Sequence, residues 1–288
     1  MSPFVQASPV DDQALSLLKQ NSASDSLTTR IIKQSGALLG QPYLLGALGE
    51  GPAGLYDQDP LYRFNAFDCE TYVDTVMALA LSNTLPSFKQ QMNAIRYRHG
   101  RVDFFERNHF TSADWVPHNR QKGYIHELTY KIGGEYVKQT SAFINRRAWL
   151  QHFTADEIQR PNASVAEKTV YLKQLKEKSV RRAQSETARI AYIPTQVLLN
   201  HPEISKKIPT GSLILFVRHY GPDIIQHIGT KLNVSHMSLA IWKNGTLYLR
   251  MASSRLGRTA DIPFQNRDSS TMRGLSIWQI KEPATHKN

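Results

Sequence analysis

Apolar residues recur at helical spacing after the first quarter of the chain and alternate with polar residues near its end. The helical recurrence follows Cys69 and comprises Tyr72, Val73, Val76, Leu79 and Ala80. This spacing predicts a helix that turns one face towards a hydrophobic core. The later alternation predicts β-strands at residues 213–217, 236–242, 247–251 and 275–280.

The rest of the chain predicts more helices and one long irregular connection. Helical patterns cover residues 11–39, as one or two helices, then 87 to about 98, and 153–189. Residues 44–66 contain six glycines and prolines, which predict a long loop in front of the Cys69 helix. Loops of this length are commonly functional, so we expect this one to line a cleft.

The only cysteine of the chain, Cys69, follows a helix-capping residue type, Asp68. Backbone N–H groups at a helix start are unsatisfied and carry the positive end of the helix dipole, which favours a thiolate. The position therefore predicts a nucleophile whose thiol pKa is lowered. The structural alternative is a small buried hydrophobe at the edge of the apolar face.

A cysteine nucleophile needs a base, and His236 is the best candidate among ten histidines. Val234, His236 and Ser238 share one face of a predicted strand, and the turn-forming residues 243–245 predict a hairpin. A histidine among small neighbours has room to face a helix start across a cleft. Spacing alone leaves the other histidines open, and His227 is interpreted as a local structural residue.

Several segments, taken in order, resemble one family. They are residues 38–43, 68–74, 95–100, 107–110, 114–115, 193–194, 209–214 and 234–236. They resemble the DUF1460 family, the N-acetylmuramoyl-L-alanine-amidase-like members of the NlpC/P60 superfamily of papain-like cysteine hydrolases, over roughly residues 30–255. The resemblance implies an α+β, papain-like fold in which the nucleophile helix packs on a small antiparallel sheet, with helical additions.

The same resemblance implies a division of the chain and of the active site. Residues 1–29 would be an N-terminal extension and helix, and residues 30–288 a single catalytic domain with a helical insertion at about 153–189. Cys69 would be the nucleophile, His236 the base and Tyr43 a second donor to the oxyanion, although Tyr43 is far from Cys69 along the chain. The residues expected to bind substrate are Arg96, Arg107, Asn108, His109 and Trp115.

Structural alternatives stand beside these roles. Tyr43 could be a packed turn residue after Pro42, Trp115 a core anchor and Arg107 a member of a satisfied ion pair. Arginine suits carboxylates and Trp115 could stack on a sugar face, so binding and structural roles both stay open.

One position departs from the family pattern. The strand after the histidine strand usually carries a histidine, and the matching residue here is Met251. A thioether is at best a weak acceptor and orients an imidazole poorly. Other candidates for holding the His236 ring are Arg250, Ser253 and Gln265.

Composition limits the classes of partner that we expect, but it does not identify the function. The chain is 41% hydrophobic and 20% charged, as is usual for a globular protein, and no apolar run is long enough to span a bilayer. Its net charge of +11 suggests an anionic partner, such as nucleic acid, a membrane surface or peptidoglycan. The basic stretch at 168–189 has no nucleic-acid motif around it and is interpreted as a solvated helical face. No ligand spacing suggests a metal, and no cofactor is expected.

The sequence thus predicts a cysteine amidase that acts on peptidoglycan or soluble muropeptides at the bond between N-acetylmuramic acid and L-alanine. An endopeptidase that cuts within the stem peptide and a non-catalytic muropeptide binder are the alternatives. We expect a periplasmic or secreted protein, although residues 1–9 show no evident signal peptide and their start could have been trimmed. The oligomeric state stays open.

Overall fold

The structure is a computed structural model that describes residues 8–266 and 271–283, without the side chains of 222–224. Its α-helices are α1 Pro9–Leu18, α2 Leu27–Ala37, α3 Cys69–Ala80, α4 Leu85–Arg96, α5 Val116–Gln121, α6 Thr129–Gly133, α7 Arg146–His152, α8 Val165–Arg182, α9 Thr195–Asn200, α10 Pro202–Ser205 and α11 Pro222–Ile228. Its strands are β1 Ile125–Glu127, β2 Lys138–Ile144, β3 Glu186–Pro194, β4 Leu213–Arg218, β5 Val234–Lys243, β6 Thr246–Ser253, β7 Arg258–Pro263 and β8 Met272–Ile280.

The strands form one antiparallel sheet in the order β2-β3-β8-β4-β5-β6-β7, and β1 pairs with β8. The predicted α+β class with an antiparallel sheet is therefore confirmed. The sheet has eight strands in the described part of the chain, so the expectation of a small sheet was wrong. All four predicted strands are present, as β4, β5, β6 and β8.

Strand β3 corrects the predicted helical insertion at 153–189. Helix α8 covers only part of that range, and residues from Glu186 onwards form β3, which pairs with β2 along its length. Ala188 and Ile190 are buried while the charged residues between and before them are exposed, which is the period of a strand. Charged residues at the exposed positions hid this alternation in the sequence.

The sheet separates two hydrophobic layers, and β5 contributes to both. Met237 and Leu239 pack in the layer that contains α3, together with Val73 and Val76. The opposite layer contains Phe216, Met251 and other residues of the far face. Because helix α3 packs against β5 and β6, the start of that helix lies next to these strands.

Residues 44–66 form the predicted irregular loop, and its two ends meet. The Leu44 N–H donates to the Phe67 carbonyl at 3.0 Å, and the Phe67 N–H donates to the Pro42 carbonyl at 3.0 Å. The two ends of the loop are therefore held together just before α3.

The N-terminal helix belongs to the same core. Helix α1 packs against α3 and α4, and Ala14 is completely buried. A boundary at residue 29 stays a prediction. None of the helices in residues 8–266 and 271–283 is both long and apolar enough to cross a bilayer.

Candidate active site

Helix α3 begins at Cys69 because Asp68 caps it. The Asp68 Oδ1 atom accepts from the Thr71 N–H at 2.8 Å, and the Thr71 hydroxyl accepts from the Asp68 N–H at 3.0 Å. This reciprocal pair is a capping box, which fixes the first turn. The predicted position of Cys69 in the first turn is confirmed, so its backbone N–H has no partner within the helix.

The thiol of Cys69 is in a less favourable setting for ionisation than its position predicts. Burial raises the pKa of the thiol, the Asp68 and Glu70 carboxylates raise it further, and backbone hydrogen bonds at Met237 and Glu70 lower it. The expected lowering of the pKa was therefore wrong, because desolvation outweighs the helix start. A reaction at this thiol would therefore need a base to take its proton.

His236 lies on β5 among Phe216 and Met251. Its ring meets the Phe216 ring edge-on with centroids 5.1 Å apart, and its Nε2 atom lies 3.0 Å from the Met251 Sδ atom. Met251 thus occupies the place next to the imidazole that the sequence comparison assigned to it. Since a thioether can only accept, this contact favours the tautomer with hydrogen on Nε2 and a basic Nδ1.

The residues on both sides of His236 connect it to Cys69. The Cys69 thiol has a hydrogen bond with the backbone of Met237, the next residue of β5. Tyr220 is close to Ser235, the residue before His236. Burial is the main cause that raises the Tyr220 pKa, and Cys69 is near enough to add to it. The start of α3 and the first half of β5 therefore share one site.

Tyr43 reaches this site despite its distance along the chain. It forms a β-bridge with Phe67, two residues before Cys69, because the 44–66 loop closes on itself. Burial and the charges of Cys69 and Asp68 raise the Tyr43 pKa to about 12. Tyr43 is therefore a neutral hydroxyl donor beside Cys69 at neutral pH. We call Cys69, His236, Tyr43, Tyr220 and Met251 the cysteine cleft.

The other candidates for holding His236 lie in three different places. Ser253 lines the same cavity as His236. Arg250 is buried and bound to Asp261 and Ser35, with Nε to Asp261 Oδ1 at 2.7 Å. Gln265 lines a different cavity. Of these three, only Ser253 shares a cavity with His236.

The cavity beside His236 has a volume of about 380 Å³. The described residues that line it are Arg218, Tyr220, Ser235, His236, Met251, Ser253, Ser254 and Arg255. Sequence analysis did not select Tyr220 or Arg218. The available signal was their position directly at and after the end of a buried strand, where polar residues often serve a site.

The five residues expected to bind substrate have their polar groups engaged within the protein. Arg96 donates to the carbonyls of Leu48, Gly49 and Leu61 in the 44–66 loop. Arg107 forms ion pairs with Glu50 at 2.6 Å and Asp57 at 2.8 Å. We call Arg96, Arg107, Glu50 and Asp57 the arginine hub, and it anchors the loop.

Asn108, His109 and Trp115 lie close to this hub. Asn108 donates to the Ile95 carbonyl at 2.9 Å and accepts from His118 at 2.6 Å. His109 donates from Nε2 to the Phe104 carbonyl at 2.7 Å, and burial beside Arg107 lowers its pKa to about 3. Trp115 is completely buried and donates to Asp74 at 2.8 Å. Substrate contact stays a prediction for all five, and their contacts support a structural role.

A smaller cavity of about 150 Å³ lies between the arginine hub and the first turns of α3. Asp68, Glu70 and Asp74 line it together with Arg96 and Arg107. Burial, the dominant cause, raises the pKa of Asp74 to about 7 and raises that of Glu70 well above its usual range. Within the described residues, no group of three or more histidine, cysteine, aspartate or glutamate side chains is arranged to hold a metal ion.

Comparison with known proteins agrees with this architecture. The model of the AmiA-like family, described as N-acetylmuramoyl-L-alanine amidase-like, matches residues 33–270. The chain therefore belongs to this family. No curated protein sequence matches the chain.

Three solved structures are similar. The DUF1460 protein of Legionella pneumophila str. Philadelphia 1 is 34% identical, with a TM-score of 0.87, over 94% of this chain and 95% of that one. An N-acetylmuramoyl-L-alanine amidase of Bacteroides uniformis ATCC 8492 is 19% identical, with a TM-score of 0.60, over 88% and 99%. A Bacteroides fragilis protein provisionally described as a xylanase is 22% identical, with a TM-score of 0.59, over 85% and 98%. The last two likenesses show the fold.

Proposed function

We propose that this protein is a papain-like cysteine amidase that hydrolyses the amide between N-acetylmuramic acid and L-alanine in peptidoglycan or soluble muropeptides. The observation that carries the proposal is the meeting of Cys69, at the start of α3, with the strand of His236, in a chain of the amidase-like family. A peptidoglycan substrate would place the protein in the periplasm or outside the cell.

The first step is proton transfer from Cys69 to His236. Because burial and two carboxylates raise the thiol pKa, the resting cysteine holds its proton. His236, with hydrogen on Nε2 facing Met251, has Nδ1 as its basic nitrogen. The thiolate forms as Nδ1 takes the proton, and its sulfur attacks the carbonyl carbon of the amide.

The attack turns the carbonyl oxygen into an oxyanion, which needs donors. The Cys69 backbone N–H at the helix start is one, and the neutral Tyr43 hydroxyl is the second. The imidazolium of His236 then gives its proton to the leaving nitrogen as the C–N bond breaks. The amine departs and an acyl-enzyme remains, which water hydrolyses with His236 again acting as base.

A non-catalytic muropeptide binder is the second candidate. It is favoured by two observations, the raised pKa of the Cys69 thiol and the thioether of Met251 in place of a stronger acceptor. An endopeptidase would use the same machinery on another amide of the stem peptide, and only its products would distinguish it.

The test is digestion of purified peptidoglycan and of soluble anhydro-muropeptides by the wild-type protein and by Cys69→Ala, with products separated by mass. Free stem peptide from the wild type alone would support the amidase. Fragments cut within the peptide would replace it with the endopeptidase. Binding without cleavage by either protein would contradict the enzyme and support the binder.

A further inference from the structure

The cavity that contains His236 adjoins a second cavity of about 340 Å³, and both are lined by Arg218 and Tyr220. Arg218 ends β4, and the second cavity continues towards Lys231 and Asn233, just before β5. The two cavities therefore form adjacent spaces on the two sides of Arg218, beside the base of the proposed reaction.

The described residues that line the two cavities carry positive charge without any carboxylate. Arg255 and Arg218 line the first cavity, and Lys231 and Arg218 line the second. The smaller cavity at the arginine hub is different, because three carboxylates line it. A space whose charged lining residues, among those that the structure describes, are all cationic attracts anionic groups.

Arg218 has donors left for a ligand. Its Nη1 donates to the Thr271 hydroxyl at 2.6 Å. Its Nη2 has no hydrogen bond to a described residue. Its Nε has no partner among them either, but it is buried, so Nη2 is the group that a ligand in the cavity would reach. A guanidinium carries five N–H donors in a planar fork that matches a carboxylate, so an acidic group could satisfy the remaining ones.

The sequence of steps in the proposed reaction determines which part of the substrate lies in the two cationic cavities. His236 must reach the leaving nitrogen to protonate it, so the leaving peptide lies on the His236 side. The acyl part lies on the side of Cys69 and Tyr43, where the oxyanion forms. The cationic cavities therefore face the peptide that departs.

We propose that Arg218, helped by Lys231, binds a carboxylate of the leaving peptide and makes the enzyme select acidic stem peptides over amidated ones. This inference rests on the proposed function for the direction of the substrate. The matching ligand chemistry is a peptide with a free carboxylate a few atoms beyond the scissile nitrogen.

The test uses two synthetic muramoyl tripeptides, one with free carboxylates beyond the scissile amide and one with those carboxylates converted to amides. Steady-state kinetics would be measured for the wild type, Arg218→Gln and Lys231→Gln. The control is Arg181→Gln, which removes the same charge from an exposed position on α8. All variants keep a polar side chain, and thermal unfolding would check that they fold.

For the free acid, we expect Arg218→Gln to raise KM about tenfold and Lys231→Gln to raise it less, with kcat almost unchanged. For the amide, both variants and the wild type should have similar KM values. Equal loss on both substrates, or no loss on the acid, would overturn the assignment of Arg218.

A binding experiment separates this inference from the proposed function. If the wild type cleaves neither compound, the proposed amidase activity is contradicted. Calorimetry with the same two compounds then tests whether Arg218 binds the carboxylate. Weaker binding of the acid to Arg218→Gln, with unchanged binding of the amide, would keep the anion site. No preference of the wild type for the acid would overturn it.

Discussion

The cysteine cleft and the arginine hub are neighbours around α3, but they use their polar groups in opposite ways. In the hub, Arg107 is paired with Glu50 and Asp57, and the ion pairs are nearly closed to solvent. Beside the cleft, Arg218 has donors without a partner among the described residues, and Cys69 as a whole residue is half-buried although its thiol is desolvated. Charges that are already paired inside the protein hold its structure together, whereas donors without an internal partner are available to a ligand.

The largest effect should come from the base of the cleft. We expect His236→Ala to lower kcat about 10⁴-fold, because neither deprotonation of Cys69 nor protonation of the leaving amine would be assisted. Release of stem peptide would be measured together with thermal unfolding, which should hardly change. His227→Ala, an exposed histidine of α11, is the control and should keep full activity. Activity retained by His236→Ala would show that the cleft works without this base.

A substitution in the arginine hub should lower the stability of the protein rather than its kcat. Arg107→Gln leaves Glu50 and Asp57 buried without their cation, so we expect the free energy of unfolding to fall by about 3–5 kcal/mol. Urea unfolding measures it. Arg101→Gln removes an exposed ion pair with Glu106 and should cost less than about 1 kcal/mol. If Arg107→Gln leaves stability intact but raises KM, then Arg107 binds substrate and the contrast between the two regions fails.

The contrast also shows which features the sequence could predict. The start of α3 depends on Asp68 and Thr71, which are three residues apart, and the β5–β6 hairpin depends on Asn244 and Gly245, both with positive φ. Such signals act over a few residues and are readable without tertiary structure. They placed Cys69 at a helix start and His236 on a hairpin strand, whereas the choice of His236 among ten histidines depended on the family resemblance.

Tertiary contacts decided the features that the sequence did not reveal. The Cys69 pKa depends on burial against β5, and strand β3 depends on pairing with β2, more than forty residues earlier. Arg107 was expected to bind substrate because it matches the family motif and arginine suits carboxylates, but its partners Glu50 and Asp57 come from the distant 44–66 loop. Chemical type alone does not distinguish a paired arginine from an available one.

Tyr43 tests whether the closed loop serves the cleft. We expect Tyr43→Phe to lower kcat about 10²–10³-fold, because the oxyanion would lose one donor while the ring keeps its packing. KM should change little. Kinetics on a soluble muropeptide would measure both, with Tyr130→Phe, at an exposed position of α6, as the control. A loss in KM alone would mean that Tyr43 positions substrate rather than the oxyanion.

Asp74 lines the small cavity beside the arginine hub, and the pH dependence of protein stability tests its environment. Its pKa is about 7 in the folded protein against about 4 unfolded, so the folded state holds more protons between these values. The contribution of Asp74 to stability is therefore greatest below about pH 4 and falls as the pH rises to about 7. Asp74→Asn keeps an acceptor for Trp115 and should flatten this dependence, with a gain of up to about 4 kcal/mol at pH 8. Denaturant unfolding from pH 4 to 8 measures it, and identical slopes for the two proteins would contradict the shift.

The smallest effect should come from Met251. Its sulfur is a weak acceptor for His236 Nε2, so Met251→Leu should lower kcat only about fivefold and move the acidic pKa of the kcat/KM profile downwards, because the imidazolium loses a partner. Met92→Leu, a buried methionine of α4, controls for packing and should leave the profile unchanged. Met251→His should raise activity if the thioether is a poor orienting group. If Met251→Leu alters only the unfolding temperature and leaves the pH profile of kcat/KM unchanged, the contact between Met251 and His236 serves packing alone. Other groups in the cleft would then orient the His236 ring.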